Sequence, residues 1–325
     1  MKQSLAKWLD SLGVLSLSRT LHRYRPIILM YHRVLDNEFI PGVTPEIFEL
    51  QLRYLKKHFN IISMNQLVFD IAHNKVQPYS VAITFDDGHQ DFYDNAWPLL
   101  RNYSVPASLY VTTGFIDKQC WLWPDYLRHI LMNTDAEGVR IPNVGILPIN
   151  PDQLLNTWSA IGDYCLKLNS EDRWPFLREL SVDLGINRES NPEPPFAPLT
   201  WDQLRSMHKE GLDVGSHTVS HPILSRLEKD KLRTELVQSS IRIEKELGAR
   251  PTGICYPNGL AQDTSQVVEE HARQLYRYGL VAYPAQVSPE KIMHLGRWAG
   301  PDSLLRFKQV MSGLTWNDNH LGEYR

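Results

Sequence analysis

Two short apolar runs constrain this chain most. Ile27-Ile28-Leu29-Met30-Tyr31 follows Pro26, and Val81-Ala82-Ile83-Thr84-Phe85 stops abruptly at Asp86-Asp87-Gly88. Runs this brief and this apolar mark strands buried on both faces. Between them, Thr44-Pro45-Glu46 has the form of a helix start with Pro at its first position, and Phe48, Leu50, Leu52 and Leu55 follow. Ile61-Ile62 can open a further strand. After the second run the pattern predicts a helix over 91–102 and a strand over Ala107–Thr112. Strand, helix and strand in this rhythm mean parallel pairing through crossover helices, an α/β fold.

The rhythm breaks after residue 119. Trp123–Met132, Leu154–Leu168 and Trp174–Leu184 have helical patterns, and the Pro-rich stretch 191–198 reads as a stiff linker. The chain therefore divides into a lead-in (1–26), a first barrel part (27–119), a helical insertion (120–195) and a second barrel part with a tail (196–325). In the last part, Trp201–Lys209 is predicted as helix and Leu212–Ser216 as strand. Lys231–Leu247 is an amphipathic helix stopped by Gly248, and Gly253–Tyr256 and Tyr278–Ala282 are strand candidates.

Composition narrows the function classes. Lys and Arg number 34 against 37 Asp and Glu, a net charge of −3, so the chain is not built to coat nucleic acid. Three scattered cysteines, with no CxxC pair, fit a reducing compartment better than a disulfide scaffold. Near the start, Lys7, Asp10, Ser11 and Gly13 interrupt every run that could serve as a secretory signal, so a cytoplasmic protein is expected. Leu5, Trp8, Leu9 and Leu12 follow a helical stripe instead. That stripe packs on the domain or, with Lys2, Lys7, Arg19, Arg23 and Arg25 around it, lies on a membrane surface.

Chemistry gathers where the expected strands end, the edge at which parallel α/β folds assemble their sites. Asp86 and Asp87 repel one another unless something positive lies beside them, although Asp-Asp-Gly is also a good turn. Ser216-His217-Thr218-Val219-Ser220-His221-Pro222 carries two imidazoles four residues apart. These can converge on one divalent ion, zinc or else cobalt, nickel or iron, if the segment makes a helical turn. Two histidines and one carboxylate form a recurrent hydrolytic metal site. The second carboxylate is then available as a general base.

Thr84-Phe85-Asp86-Asp87-Gly88 followed by His217-Thr218-Val219-Ser220-His221-Pro222 resembles the polysaccharide deacetylase family, also called the NodB-homology domain or carbohydrate esterase family four. Ile28–Val34, Val105–Val111 and Ile254-Cys255-Tyr256-Pro257-Asn258-Gly259 extend the likeness, which leaves 120–195 unmatched. The resemblance implies a distorted, incomplete (β/α) barrel with a helical insertion. It also implies a hydrolase that removes an N-acyl group, most often acetyl, from an amino sugar in a polysaccharide or a lipid-linked precursor. Asp87, His217 and His221 would be the metal ligands, Asp86 the base, and the Tyr256–Asn258 region, through a backbone N–H, the oxyanion site. The family's third motif commonly carries an Arg that pairs with the base. Cys255 stands there in this chain, and Arg297 is the candidate to supply the charge. His294 is the candidate general acid. His32 and His89 are pocket candidates or plain turn residues. Trp121 and Trp123 either stack on a sugar or pack the insertion on the barrel. Two alternatives keep the fold: a carbohydrate-binding protein with a degraded site, or an amidohydrolase acting on a non-sugar amide.

Overall fold

The computed structural model of the protein describes residues 12–186 and 191–314. The stripe at Leu5, Trp8 and Leu9 lies outside them. Helix α1 (Val14–Leu21) leads into β1 (Ile27–Tyr31), α2 (Pro45–His58), β2 (Asn60–Ile61), α3 (Met64–Ala72) and β3 (Ser80–Phe85). A π-helical turn, Phe92–Ala96, precedes α4 (Trp97–Asn102), and β4 (Ser108–Val111) and the short α5 (Thr113–Ile116) complete the first part. The segment 120–195 holds α6 (Trp123–Asn133), an antiparallel hairpin of β5 (Gly138–Ile141) and β6 (Gly145–Pro148), α7 (Leu154–Lys167) and α8 (Ser170–Asp183). Then follow α9 (Trp201–Lys209), β7 (Asp213–Ser216), α10 (Lys229–Leu247), β8 (Gly253–Cys255), α11 (Gln266–Arg273), β9 (Tyr278–Leu280), β10 (Trp298–Ala299) and α12 (Leu304–Ser312).

The main sheet runs β10-β1-β3-β4-β7-β8-β9, parallel throughout, with β2 paired to β3. It curls until its edges meet through one segment. Leu295 bridges to Leu280 of β9, and Trp298, three residues on, pairs with Leu29 of β1. The result is a distorted barrel.

Period-two alternation sorts the strand side chains. Leu29, Tyr31, Val81, Ile83, Phe85, Leu109 and Val111 face outward into the layer formed with α2, α9 and α12. Ile28, Ala82, Tyr110, Cys255, Tyr278 and Leu280 face the lumen. Space there is made by glycine. A Cβ on Gly215 would meet the Tyr110 ring at 2.3 Å, and one on Gly253 the Tyr278 ring at 2.2 Å. The two tyrosine hydroxyls meet at 2.8 Å.

Helix ends follow their sequence signals. The Thr44 side chain accepts from the Ile47 N–H, Thr200 and Gln203 form a reciprocal capping box, and Gly248 at φ 75° ends α10. Two expectations are corrected. The 120–195 segment is not purely helical, because 138–148 forms the hairpin. Residues 191–198 are not a linker. Phe196 is buried against Trp121 and His129, the Pro195 and Ala197 carbonyls accept from Arg33 and from the Gln90 N–H, and Leu199 N–H donates to Gly88 O.

The glycine–tyrosine contacts make a stability prediction. Gly253→Ala forces a methyl into a closed lumen and should destabilise by about 1–3 kcal/mol. Gly162→Ala, in the middle of α7 with nothing within 4 Å of the new methyl, should be neutral or stabilising by up to about 1 kcal/mol. Urea unfolding of both variants checks this. Equal effects would refute the packing argument.

Candidate metal centre and catalytic pocket

A cavity of about 1060 Å³ opens at the carboxyl edge of the sheet, between the 120–195 segment and α12. His32, Asp86, Asp87, His89, His217, His221, Tyr256, Asn258 and Arg297 all reach its wall. Four of the non-glycine residues with positive φ belong to it or its loops: Asp87 (75°), Thr218 (70°), His221 (58°) and Asn258 (59°). Aspartate and asparagine tolerate this region; for Thr218 and His221 it stores strain that the surroundings must hold.

Asp86 continues the lumen-facing series Ala82, Thr84. Arg297 enters from the segment that closes the barrel, with Leu295 inward beside it. Its Nη1 donates to Asp86 Oδ1 at 2.8 Å and its Nη2 to Oδ2 at 2.6 Å, a bidentate pair with both partners buried. Arg297 also donates to Thr84 Oγ1, to the Val281 carbonyl and to Cys255 Sγ. Cys255 therefore leaves room for an arginine arriving from elsewhere in the chain. Burial alone would raise the Asp86 pKa. The Arg297 charge and its hydrogen bonds reverse that and hold the group well below the usual carboxylate range.

Asp87 turns the other way, on a left-handed backbone followed by Gly88 at φ 98°. A Cβ on Gly88 would meet Ile116 Cδ1 at 2.8 Å. Asp87 Oδ1 is buried and has no hydrogen-bond partner among the described residues. It lies 3.5 Å from His217 Nε2 and 3.6 Å from His221 Nε2. His217 Nδ1 lies 2.7 Å from the Cys255 carbonyl, which only accepts, so Nδ1 carries the proton and Nε2 offers its lone pair. The 217–221 segment is a loop rather than a helical turn. Thr113 and Gly114 N–H groups bond to the Thr218 and Val219 carbonyls, and Glu235 accepts from the Val219 and Ser220 N–H groups and the Ser220 hydroxyl. Burial, and then the charges of Asp86 and Asp125, push the Asp87 pKa well up; burial and the neighbouring His217 push the His221 pKa well down.

These residues fit a divalent cation. Two donors bound at about 2.0–2.2 Å with a tetrahedral angle stand about 3.4 Å apart, close to the separations of Asp87 from the two histidines. The orphaned, buried Asp87 oxygen is the donor that such a site presents to a cation.

Other expected residues distribute unevenly. His32 stands on the cavity wall with its Nε2 3.7 Å from Asp86 Oδ2 and its side chain 44% exposed. Although nearly half its surface meets the cavity, its pKa is lowered, desolvation by the wall outweighing Asp86, with Arg297 and His217 adding to the fall. His294 is corrected: it does not line the cavity. Leu295 and Arg297 point inward, so His294 points out, with Nδ1 2.6 Å from Glu269 and Nε2 2.6 Å from the Tyr283 hydroxyl. Tyr256 reaches the wall, but its buried hydroxyl donates to Met293 O at 2.9 Å and offers nothing to a substrate. The Asn258 side chain is tied to Asp263, while its backbone N–H has no acceptor among the described residues. Trp121 packs on Tyr126, His129 and Phe196, and Trp123 is buried beneath the Arg173 guanidinium, so neither is an open sugar platform.

One site residue escaped the sequence reading. Asp125, in the first turn of α6, accepts from His89 Nε2 at 2.6 Å, and the other nitrogen of His89 faces Asp87 Oδ2 at 4.0 Å. Arg128, over the Trp158 ring at 4.1 Å, stands 3.9 Å from the same carboxylate. In sequence Asp125 is an ordinary acidic residue at a helix start; nothing local marks it.

Strands, loops and cavity define an α/β barrel whose carboxyl edge gathers a donor set that could hold a cation. The polysaccharide deacetylase family model matches residues 73–146 and 164–276, more than half of the chain, and the chain belongs to that family. The match runs through much of 120–195, so that segment is not foreign to the family as expected. A poly-beta-1,6-N-acetyl-D-glucosamine N-deacetylase of Staphylococcus aureus is 28% identical over 109 residues, 29% of this chain and 38% of that protein. The Staphylococcus epidermidis protein of that name is 32% identical over 106 residues, 28% of this chain and 37% of its own. The match thus spans little more than a third of those relatives. In fold, the chain is similar to the Streptococcus pyogenes deacetylase PplD (TM-score 0.60, 19% identity, 89% of this chain and 98% of that one). It is similar also to IcaB from Ammonifex degensii (TM-score 0.59, 15% identity, 89% and 97%).

The Arg297–Asp86 pair predicts a pH signature. Arg297→Met leaves a buried carboxylate unpaired and should destabilise by about 3–5 kcal/mol near neutral pH. In the wild type the Asp86 pKa is depressed, so its contribution is complete above the unfolded carboxylate value and fades as pH falls towards the folded one. In the variant Asp86 takes up a proton instead, so the stability gap should narrow as pH is lowered. Unfolding free energies at neutral and acid pH test this; a gap independent of pH counts against the pairing.

Proposed function

We propose that this protein is a divalent-metal-dependent hydrolase that removes N-acetyl groups from an amino-sugar glycan. One observation carries the reading. Two adjacent aspartates enter one cavity in opposite electrostatic settings, Asp86 clamped by Arg297 and Asp87 with an orphaned oxygen between two imidazole nitrogens. Zinc suits a donor set of two imidazoles and one carboxylate. The ion held by Asp87, His217 and His221 would supply Lewis-acid polarisation of the acyl carbonyl and acidity to a water.

The chain's own groups do the rest. Asp86, kept ionised by Arg297, takes the proton from the attacking water. The Asn258 N–H, fixed at φ 59° on the cavity wall, donates to the carbonyl oxygen as negative charge develops there. The amine is a poor leaving group and needs a proton. His32, 3.7 Å from Asp86 and open to the cavity, is the imidazole placed to relay it: held neutral by its lowered pKa, it can take over the proton that Asp86 removes from the water and pass it to the amine, in the role that the sequence suggested for His294. The names of the staphylococcal relatives support a poly-N-acetylglucosamine type of substrate. A cavity of about 1060 Å³ exceeds what a small cyclic amide needs and suits several sugar units. A binding-only protein would have no use for an orphaned buried carboxylate oxygen facing two imidazole nitrogens.

Two pairs of variants test the assignment on a soluble N-acetylglucosamine oligomer. Asp87→Asn should lose bound metal and turnover together. Asp86→Asn should keep the metal and lose about 10²–10⁴-fold in kcat. Metal analysis with the opposite pattern would exchange the two roles. His32→Ala should lower kcat over a similar range, whereas His294→Ala should stay within a few-fold of wild type. A large loss from His294→Ala alone would overturn the choice of proton donor.

A further inference from the structure

Helix α1 carries two features that the catalytic reading does not use. The first is an exposed apolar stripe. Leu17 and Leu21 lie one turn apart on α1, Tyr24 follows in the turn after the helix, and with Leu12 just before it they are four of the thirteen large apolar side chains exposed among the described residues. The opposite face is anchored: Leu15 is buried, and the Ser18 hydroxyl donates to Ser312 O at the end of α12 at 2.8 Å. The second is a small recess flanking the stripe, lined by Arg19, His22, Arg23 and Arg25 with Phe59 and Tyr79. No carboxylate of the described residues lines it. Residues 12–25 include three arginines and no acidic residue, in a chain whose net charge is −3.

Apolar side chains at helical spacing beside an arginine-lined recess are what the interface of a bilayer with anionic headgroups requires. Leucines and a tyrosine enter the boundary with the acyl chains, and guanidinium groups meet phosphates. A protein partner would be expected to meet the stripe alone; the adjoining cationic recess favours lipid. We infer that α1 is a docking surface for an anionic phospholipid bilayer.

The helix also fixes an orientation. Arg23 O accepts from the Tyr79 N–H, one residue before β3 begins, and β1 begins at Ile27, so α1 lies at the amino edge of the sheet. The catalytic residues follow the carboxyl ends of those strands, about 17 Å away along a five-residue strand. A bilayer against α1 would lie on the opposite end of the barrel from the strand ends that carry the site.

The experiment is co-sedimentation of the full chain with vesicles of phosphatidylcholine alone or with 30 mol%, an approximate physiological share, of phosphatidylglycerol. The wild type should bind the anionic vesicles and release them at high salt. Leu17→Glu/Leu21→Glu should weaken binding about a hundredfold, since two apolar side chains leave the interface. Arg23→Ala/Arg25→Ala should weaken it about thirtyfold and remove the preference for phosphatidylglycerol. Thermal unfolding should match wild type in both, because these side chains are exposed. No wild-type binding, or binding unchanged in Leu17→Glu/Leu21→Glu, would overturn the inference. So would a wild-type dimer that this variant dissociates, because the stripe would then be covered by a second copy. None of these outcomes depends on deacetylase activity.

Discussion

A guanidinium and a carboxylate, both almost wholly buried, meet in the lumen where the curled sheet closes on itself. Arg297 lies on the segment that touches β9 through Leu295 and β1 through Trp298, and Asp86 is the first residue past β3. The ion pair thus ties the seam of the barrel to its catalytic edge. Buried pairs of this kind seldom add much net stability, because desolvating two charges costs about as much as their attraction returns. Their value here is chemical. Arg297 keeps Asp86 anionic in a place where burial alone would neutralise it.

The neighbouring aspartate has the opposite environment. Among the described residues Asp87 has no lysine or arginine within bonding distance, and it sits beside the charges of Asp86 and Asp125, so its carboxylate is the more costly to keep ionised. The backbone makes this division possible. A regular strand would send consecutive side chains to opposite faces, and the left-handed turn at Asp87 and Gly88 instead brings both aspartates to one cavity. Strain at Thr218 and His221 does the same for the two imidazoles, with Glu235 and the α5 N–H groups as the clamps.

How much of this could be read beforehand follows the range of each interaction. Strands and helices of the barrel were legible because local patterning decides them: apolar runs, Thr and Pro at helix starts, Gly248 at a helix end. The candidate metal ligands were legible because DDG and the paired histidines are short motifs. Arg297 was located only as a missing charge in need of a source, and its route depends on how the barrel closes. His294, expected as the proton donor, turns away from the cavity because alternation along 294–297 decides which side chains face inward, and that register is set by pairing with β9 and β1. Asp125 had no local signature at all; only the packing of α6 over the DDG loop gives it a partner.

The 120–195 segment has its own core, with Leu127, Ile130, Trp158, Ile161 and Leu177 packed among themselves and apart from the barrel's outer layer. Two independently packed bodies therefore share one cleft, the barrel holding the reacting groups and the segment holding the facing wall. Side chains on that wall can be exchanged without disturbing the strands that aim Asp86, Asp87 and the histidines. Substrate preference and bond-breaking are thus separable traits in this architecture, open to drift or engineering one at a time. The Asp125–His89 hydrogen bond is the place where that freedom ends, since a change there reaches across the cleft towards Asp87.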